Sequence, residues 1–116
     1  MEGGTLAREI DDIAKRKKYK QNQYGDRKSR KDDYTGERVF SGNTEKAIKK
    51  HPIDKISDTD HVTPIKVVQS RYKGLSYDQQ RIIANSEHNY AITNSKLNRS
   101  KGGLENHEYL MRQTLK

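Results

Sequence analysis

The N-terminal part of the chain carries a helical pattern of apolar positions. Four apolar residues recur at helical spacing behind Thr5, a candidate N-cap: Leu6, Ile10, Ile13 and Ala14. The pattern predicts a helix over about residues 5 to 23 that is basic in its second half. Gly25 and the polar residues up to position 33 predict a break.

The middle of the chain alternates as short strands do. β-forming residues flank the glycines of residues 34 to 42, which predicts a short hairpin. Polar and apolar residues alternate from 53 to 66, and many of the apolar ones are β-branched. This predicts a strand or extended segment that Pro64 interrupts.

The C-terminal part predicts a helix, a strand and two further helices. Ser76 and Gln79 have capping-box spacing, so a helix is expected to run to about residue 85. Two of its side chains are expected to face inward: Ile82 and Ile83. Residues 89 to 93 predict a strand, and Ser95 is expected to cap a short helix. The Gly102-Gly103 pair stops that helix. A last helix over about 104 to 115 is expected to bury Leu104, Met111 and Leu115 or their neighbours.

Composition limits how much of this can pack into a core. The chain has 116 residues, of which 29% are hydrophobic and 34% charged, so we expect one small α+β domain. It has no cysteine, which excludes disulfides and cysteine-ligated zinc. No stretch approaches the roughly 18 apolar residues of a membrane span, and no membrane partner is expected.

The excess positive charge is confined to one segment. The net charge is +8, and residues 15 to 31 hold nine Lys or Arg and one Asp, so the rest of the chain is neutral. Such a block attracts nucleic acid through its phosphates. A solvated tail explains it equally well, and membrane-surface binding is disfavoured because the segment has no bulky apolar residues to insert.

Three polar residues in the C-terminal half suggest chemistry. A strand that ends in Asp60-His61 sends the two side chains to opposite sides of the backbone. The strand and helix that follow bring a further oxygen ligand, Asn98. Oxygen ligands of this kind suit Mg²⁺ or Mn²⁺, so we expect a metal site formed by Asp60 and Asn98 and no structural zinc.

This order of residues resembles the HNH endonuclease family. The family pattern is Asp-His-x-x-Pro on a first strand, a central Asn, and Asn or His followed by x-x-Lys on a helix. Here these pieces read Asp60-His61-Val62-Thr63-Pro64, then Asn89, then Asn98-Arg99-Ser100-Lys101. The third motif residue is Asn98, and the HNH domain of RNA-guided CRISPR effectors, which the sequence also resembles, likewise has Asn at this position. Residues 34 to 42 are similar to the segment that precedes the motif in prophage-type members. The resemblance covers about 45 residues and is specific through the order of its pieces.

The resemblance implies a ββα-metal core with flanking helices and a basic N-terminal helix. It divides the chain into a basic helical arm, residues 1–31, and a nuclease domain, residues 32–116. In this scheme His61 is the general base that activates water, while Asn89 ties the strands together and orients His61. Lys101 is expected to reach a phosphate oxygen.

The resemblance also implies a setting for this activity. The expected substrate is double-stranded DNA, cut in the cytoplasm of a bacterium or phage-infected host, with protein partners from a larger phage or defence system. Many members bind a structural zinc near the hairpin. Here Asn94 and Leu97 stand near those positions, so the fold is expected to be held by packing alone. The long stretch between His61 and Asn89 is interpreted as an elaborated loop that shapes the substrate groove.

Two other functions remain open. The chain is also consistent with a non-catalytic nucleic-acid-binding module on the same scaffold, or with the nuclease domain of a toxin that an immunity protein inhibits. A purely structural interpretation is also open, in which Asp60 is a turn or capping residue and His61 is a structural histidine. DNA against RNA and the oligomeric state are left open by the residues.

Overall fold

The computed structural model describes residues 6–42 and 49–114, and within them the protein has the α+β fold expected from the sequence. The elements in chain order are α1 (Ala7–Ile10), α2 (Ile13–Tyr24), β1 (Ser29–Lys31), β2 (Arg38–Phe40), β3 (Ser57–His61), α3 (Ile65–Arg71), α4 (Tyr77–Ala84), β4 (Tyr90–Asn94), α5 (Ser95–Lys101) and α6 (Asn106–Thr114). A single 3-10 turn, Glu87–Asn89, precedes β4.

The N-terminal helix is broken where one continuous helix was expected. Asp12 has a non-helical backbone, and its side chain accepts a hydrogen bond from the Lys15 N–H, so α2 starts afresh there. Aspartate favours such caps over helix interiors because its side chain competes for backbone donors. Of the four apolar residues at helical spacing, Ile10 is buried, while Leu6, Ile13 and Ala14 are exposed. Thr5 lies outside the described residues.

The hairpin exists but lies earlier than expected. Its strands β1 and β2 pair antiparallel from Ser29 opposite Phe40 to Lys31 opposite Arg38. The first strand falls in the segment that was interpreted as a break, because Ser-Arg-Lys has no apolar pattern and is held by backbone pairing. After β2 the chain turns at Gly42, where φ is +64° and an added Cβ would lie 2.7 Å from Cβ of Ile56. Only glycine fits at this position.

The second sheet carries the candidate site. Strands β3 and β4 pair antiparallel in a register running from Ser57 opposite Asn94 to His61 opposite Tyr90. Helix α5 follows β4 directly and contacts both strands. The predicted strand over 53–66 is therefore shorter than expected. A helix, α3, begins directly after Pro64 because proline lacks an N–H and already has a helical φ.

For the remaining helices, most of the predicted starts and ends are confirmed, but few of the side chains predicted to be buried are. Helix α4 has the expected capping box between Ser76 and Gln79. Its Ile82, however, is 70% exposed. Asn94 rather than Ser95 caps α5.

Helix α6 begins at Asn106, later than the expected residue 104. Met111 and the neighbouring Leu110 are both exposed, so the prediction that this part of the helix buries an apolar side chain was wrong. Leu104 is half-buried, and Leu115 lies outside the described residues. Exposed apolar side chains on both α4 and α6 show that helical spacing alone does not identify the packed face.

The fold is held by a small apolar cluster together with buried polar contacts. One apolar cluster is small and joins α1, α3 and α4 through Ile10, Val68 and Ala84. A polar hub adds to it: buried Asp32 accepts hydrogen bonds from the Tyr34 N–H, the Thr93 hydroxyl and both the backbone and side chain of Asn94. These bonds fasten the hairpin to the junction of β4 and α5. Burial would raise the pKa of Asp32, but the donors around it outweigh burial and lower it.

Candidate active site

The end of β3 places two of the predicted residues at one cleft. Asp60 and His61 are adjacent on the strand, so their side chains leave opposite faces of it. Both nevertheless border an open cleft of about 360 Å³. The other polar side chains on its walls are Asp11, Arg16, Thr59, Lys66 and Asn98. The sequence prediction that Asp60, His61 and Asn98 lie near one another agrees with this placement.

Asp60 is buried and already faces a cation of the protein itself. Its Oδ2 lies 2.5 Å from Nζ of Lys101 and accepts a hydrogen bond of 2.7 Å from the Tyr34 hydroxyl. Burial, reinforced by the bond to Asp60, raises the pKa of Tyr34, so this hydroxyl stays a donor. The hydrogen bonds that Asp60 accepts from described residues all end on Oδ2, which leaves Oδ1 as the oxygen for an added ion.

Lys101 does not extend toward the cleft as expected. Its side chain is 1% exposed, and Nζ lies against Asp60 and the carbonyl oxygens of His61 and Val62, the latter two each at 3.2 Å. The ring of Tyr34 covers it at 5.5 Å. In this position the ammonium pairs with Asp60, and Lys101 is not among the residues that line the cleft. A surface role was assigned because the sequence pattern does not show which face of α5 is buried.

His61 is held on the opposite face of β3. Its Nε2 lies 3.2 Å from Oδ1 of Asn85 and 3.7 Å from a carboxylate oxygen of Asp11. The Tyr90 ring packs edge-on against the imidazole at 5.5 Å. Burial lowers the pKa of His61 more than the Asn85 bond and the Asp11 charge raise it. The imidazole is therefore neutral at neutral pH, as a general base must be.

Asn89 clamps the chain just after His61. Its Oδ1 accepts from the Thr63 N–H at 2.7 Å, and its Nδ2 donates to the carbonyls of Thr63 and Ala84. The Val62 N–H also donates to the Asn89 carbonyl. These bonds fix the turn that leaves β3 against the start of β4 and the end of α4. The geometry agrees with an organising role, and Asn89 is not among the residues that line the cleft.

Asn98 supplies the second candidate ligand for a metal ion. Its Nδ2 donates to Oδ2 of Asp58 at 3.1 Å. This bond orients the amide, and the carbonyl oxygen Oδ1 is the atom that could bind a cation. Asp60 and Asn98 can thus each offer an oxygen to the cleft, a donor set that fits Mg²⁺ or Mn²⁺. The ammonium of Lys101 opposes this fit, because it shares the Asp60 carboxylate with any added ion.

A basic groove continues from the cleft along α2. Its walls are formed by Arg16, Lys17, Lys20, Gln21, Asp58 and Thr59. Two of these residues, Arg16 and Thr59, also border the cleft, so the two depressions are contiguous. Helix α2 is fastened to β3, since Lys20 donates to the Ser57 carbonyl and Thr59 donates to the Arg16 carbonyl. Burial lowers the pKa of Lys20. The predicted basic arm is thus packed beside the site.

Three residues at the site were missed by the sequence analysis. Asp11 and Arg16 form a two-bond ion pair on the wall of the cleft, and Asn85 contacts His61 from the end of α4. Asn85 follows a well-marked helix, and a polar residue at a helix end is commonly a cap. Asn85 and Asp11 lie 24 and 50 positions from His61 along the chain, so no spacing rule connects them with the site.

A separate acidic and histidine group lies at the start of α6. Glu105, His107 and Glu108 place one ligand atom each within 4.8 Å of one another, although Glu105 is already paired with Arg71. None of these side chains is buried, so the group is a solvated helix end.

Comparisons with protein-family models, with curated proteins and with solved structures find no match to this chain. Within residues 6–42 and 49–114, no helix combines the length and the apolar composition needed to cross a bilayer.

Proposed function

We propose that this protein is a metal-dependent endonuclease of the HNH type that hydrolyses phosphodiester bonds in DNA. One observation carries the proposal: Asp60, His61 and Asn98 border the same cleft, although they lie up to 38 positions apart in the sequence. A neutral base that borders the same cleft as two oxygen ligands suits metal-assisted hydrolysis of a phosphodiester.

His61 would remove the proton from the attacking water. The lowered pKa keeps the imidazole unprotonated at neutral pH, and its ring is held by hydrogen bonding and by Tyr90. Asn89 holds the turn after it and so fixes the end of β3 that carries the base. In this proposal Asn89 is a positioning residue.

Asp60 and Asn98 would hold the metal ion through their Oδ1 atoms. When bound, Mg²⁺ or Mn²⁺ supplies positive charge at the scissile phosphate and at the leaving oxygen. Lys101 donates to the carboxylate of Asp60, so in this proposal it balances the buried negative charge and does not contact the substrate.

The substrate strand would approach along the basic groove of α2. Positive charges in this groove supply affinity for the phosphates of DNA and little specificity for its base sequence. Because α2 packs on β3, the groove is tested by a single substitution rather than by removing the arm. Lys17→Gln is expected to weaken DNA binding and to reduce the salt dependence of log K by about one unit, while Lys73→Gln on an exposed loop leaves both unchanged.

The decisive experiment is nicking of supercoiled plasmid with Mg²⁺ or Mn²⁺. Wild-type protein and His88→Ala, an exposed histidine away from the cleft, are expected to cut at the same rate. His61→Ala is expected to lose about 10²–10⁴-fold, the usual contribution of a general base. Equal cutting by His61→Ala would remove His61 from the mechanism, and no cutting by the wild type in either metal would reject the nuclease.

The second candidate is a nucleic-acid-binding module without catalysis. The buried pair of Asp60 and Lys101 favours it, because an internal ammonium already occupies one oxygen of the proposed metal ligand. This candidate predicts salt-sensitive binding of plasmid with no product in any divalent ion.

The cellular setting in this proposal follows from the substrate. An enzyme that cuts the DNA of a bacterium or of an infecting phage would act in the cytoplasm. Its protein partners would come from a phage or defence system, or would be an immunity protein if the chain is a toxin domain. Copurification from the native host is the measurement that separates these partners.

A further inference from the structure

Asn85 is bonded on every polar side-chain atom, and its partners come from four parts of the chain. The residue follows α4 and is 2% exposed. Its Nδ2 donates to the carbonyls of Ile10 and Arg81 at 2.7 and 2.8 Å. Its Oδ1 receives the Asp12 N–H at 3.0 Å and the Tyr90 hydroxyl at 2.9 Å. The fifth partner is the imidazole of His61.

The partners determine which way the amide points. The carbonyls of Ile10 and Arg81 can only accept, so they require the NH₂ group. The N–H of Asp12 can only donate, so it requires the oxygen. A flipped amide would place two acceptors against Oδ1 and a donor against Nδ2, so buried Asn85 would lose three hydrogen bonds at once.

This orientation assigns the proton on His61. Nε2 lies 3.2 Å from Oδ1 of Asn85, and an amide oxygen has no hydrogen to give, so Nε2 must carry the hydrogen. The next group facing Nε2, the carboxylate of Asp11 at 3.7 Å, is also an acceptor and agrees with this assignment. A neutral imidazole has one N–H, and Nδ1 is therefore left with its lone pair.

We infer that Asn85 is a positioning residue that holds neutral His61 as the Nε2–H tautomer and thereby presents Nδ1 as the basic nitrogen. The part of this inference that concerns catalysis rests on the proposed nuclease function. The tautomer itself does not. The inserted stretch between His61 and Asn89 contributes α4, and Asn85 at the end of that helix reaches His61. The same side chain makes the break between α1 and α2 part of the site, because Ile10 and Asp12 anchor it.

The test is nitrogen NMR of histidine-labelled protein at a pH well above about 6.5, where free histidine is neutral. Long-range proton–nitrogen correlations distinguish the protonated from the unprotonated ring nitrogen, and a His61→Gln spectrum identifies the His61 signals among those of the four histidines. We expect Nε2 protonated and Nδ1 unprotonated in the wild type. An Nδ1–H tautomer, or an equal mixture of the two, would overturn the inference without any variant.

Variants separate positioning from a purely structural role. Asn85→Asp keeps an acceptor facing Nε2, so the Nε2–H tautomer is expected to persist. Asn85→Ala removes the acceptor, and the tautomers are expected to mix while plasmid cutting falls, by up to about 10⁴-fold if the wrong tautomer dominates. Tyr90→Phe removes one bond to Asn85, keeps the ring against His61, and is expected to leave the tautomer unchanged. An Asn85→Ala protein that is folded and retains the pure Nε2–H tautomer would refute the role.

The two hypotheses fail in different ways. Nε2–H in a wild type that cuts no DNA rejects the nuclease and keeps the tautomer assignment. Nδ1–H in a wild type that cuts DNA rejects the assignment and keeps the nuclease.

Discussion

Replacing Lys101 by Met tests the buried ion pair beneath the candidate site. Methionine has nearly the same length and fills the same space, but it removes the positive charge and the three donors of the ammonium. Asp60 would keep the Tyr34 hydroxyl as its partner and lose the ammonium at 2.5 Å. The carbonyls of His61 and Val62 would lose a donor as well.

The expected magnitude follows from burial. The side chains of Lys101 and Asp60 are 1% and 7% exposed, so water cannot replace the missing charge. Removing one partner of a buried pair typically costs about 3–5 kcal/mol. A domain with a total stability of about 5–15 kcal/mol would keep a much smaller margin. Substituting both partners, with Lys101→Met and Asp60→Asn, removes the uncompensated charge, so the double variant is expected to lose less than the sum of the single losses.

The assay is urea unfolding followed by circular dichroism, with Lys96→Met as the matched control. Lys96 is exposed on the same helix, and its substitution is expected to change stability by less than about 0.5 kcal/mol. A loss below about 1 kcal/mol in Lys101→Met would refute the structural role given to the pair. If Asp60 binds a metal, Mg²⁺ is expected to raise the melting temperature of Lys101→Met more than that of the wild type, because the competing ammonium is gone.

Three further outcomes are expected. Burial in the folded state lowers the pKa of His61 below its unfolded value of about 6.5, so folding favours the neutral ring. The free energy of unfolding should therefore fall as the pH drops below about 6.5. NMR titration checks the lowered pKa, and a His61→Gln variant that keeps the same slope of stability against pH would contradict the explanation. Asp32→Asn places an NH₂ group against buried donors and is expected to lose about 2–3 kcal/mol in urea unfolding, whereas exposed Asp26→Asn is neutral. Gly42→Ala should destabilise more than Gly36→Ala, since both have positive φ but only Gly42 lacks space for a Cβ; equal thermal shifts would disprove the clash.

Local signals in the sequence predicted the elements that carry their own ends. The capping box at Ser76 and Gln79 needs only residues three apart, and the structure confirms it. The end of α5 at Gly102 is confirmed for the same reason, since a positive φ there is a property of one residue. The strand around residues 89–93 also needed little context, because its apolar run is buried on both faces.

Predictions that depended on which face is packed were less successful. Ile82 and Met111 have helical spacing and are nevertheless exposed, because spacing describes a stripe and does not say what covers it. Strand β1 was missed because Ser29 to Lys31 contain no apolar residue, and only pairing with β2 makes them a strand.

The sequence by itself determined the residue types at the candidate site: an Asp-His pair at the end of β3, an asparagine in α5 and a basic segment in α2. The tertiary structure decided their environment. It buried Lys101 against Asp60 rather than at a phosphate, and it brought Asn85 from 24 positions away to Nε2 of His61. Residue types follow from the chain alone, but burial and partners depend on contacts between distant segments, and those contacts determine protonation and charge.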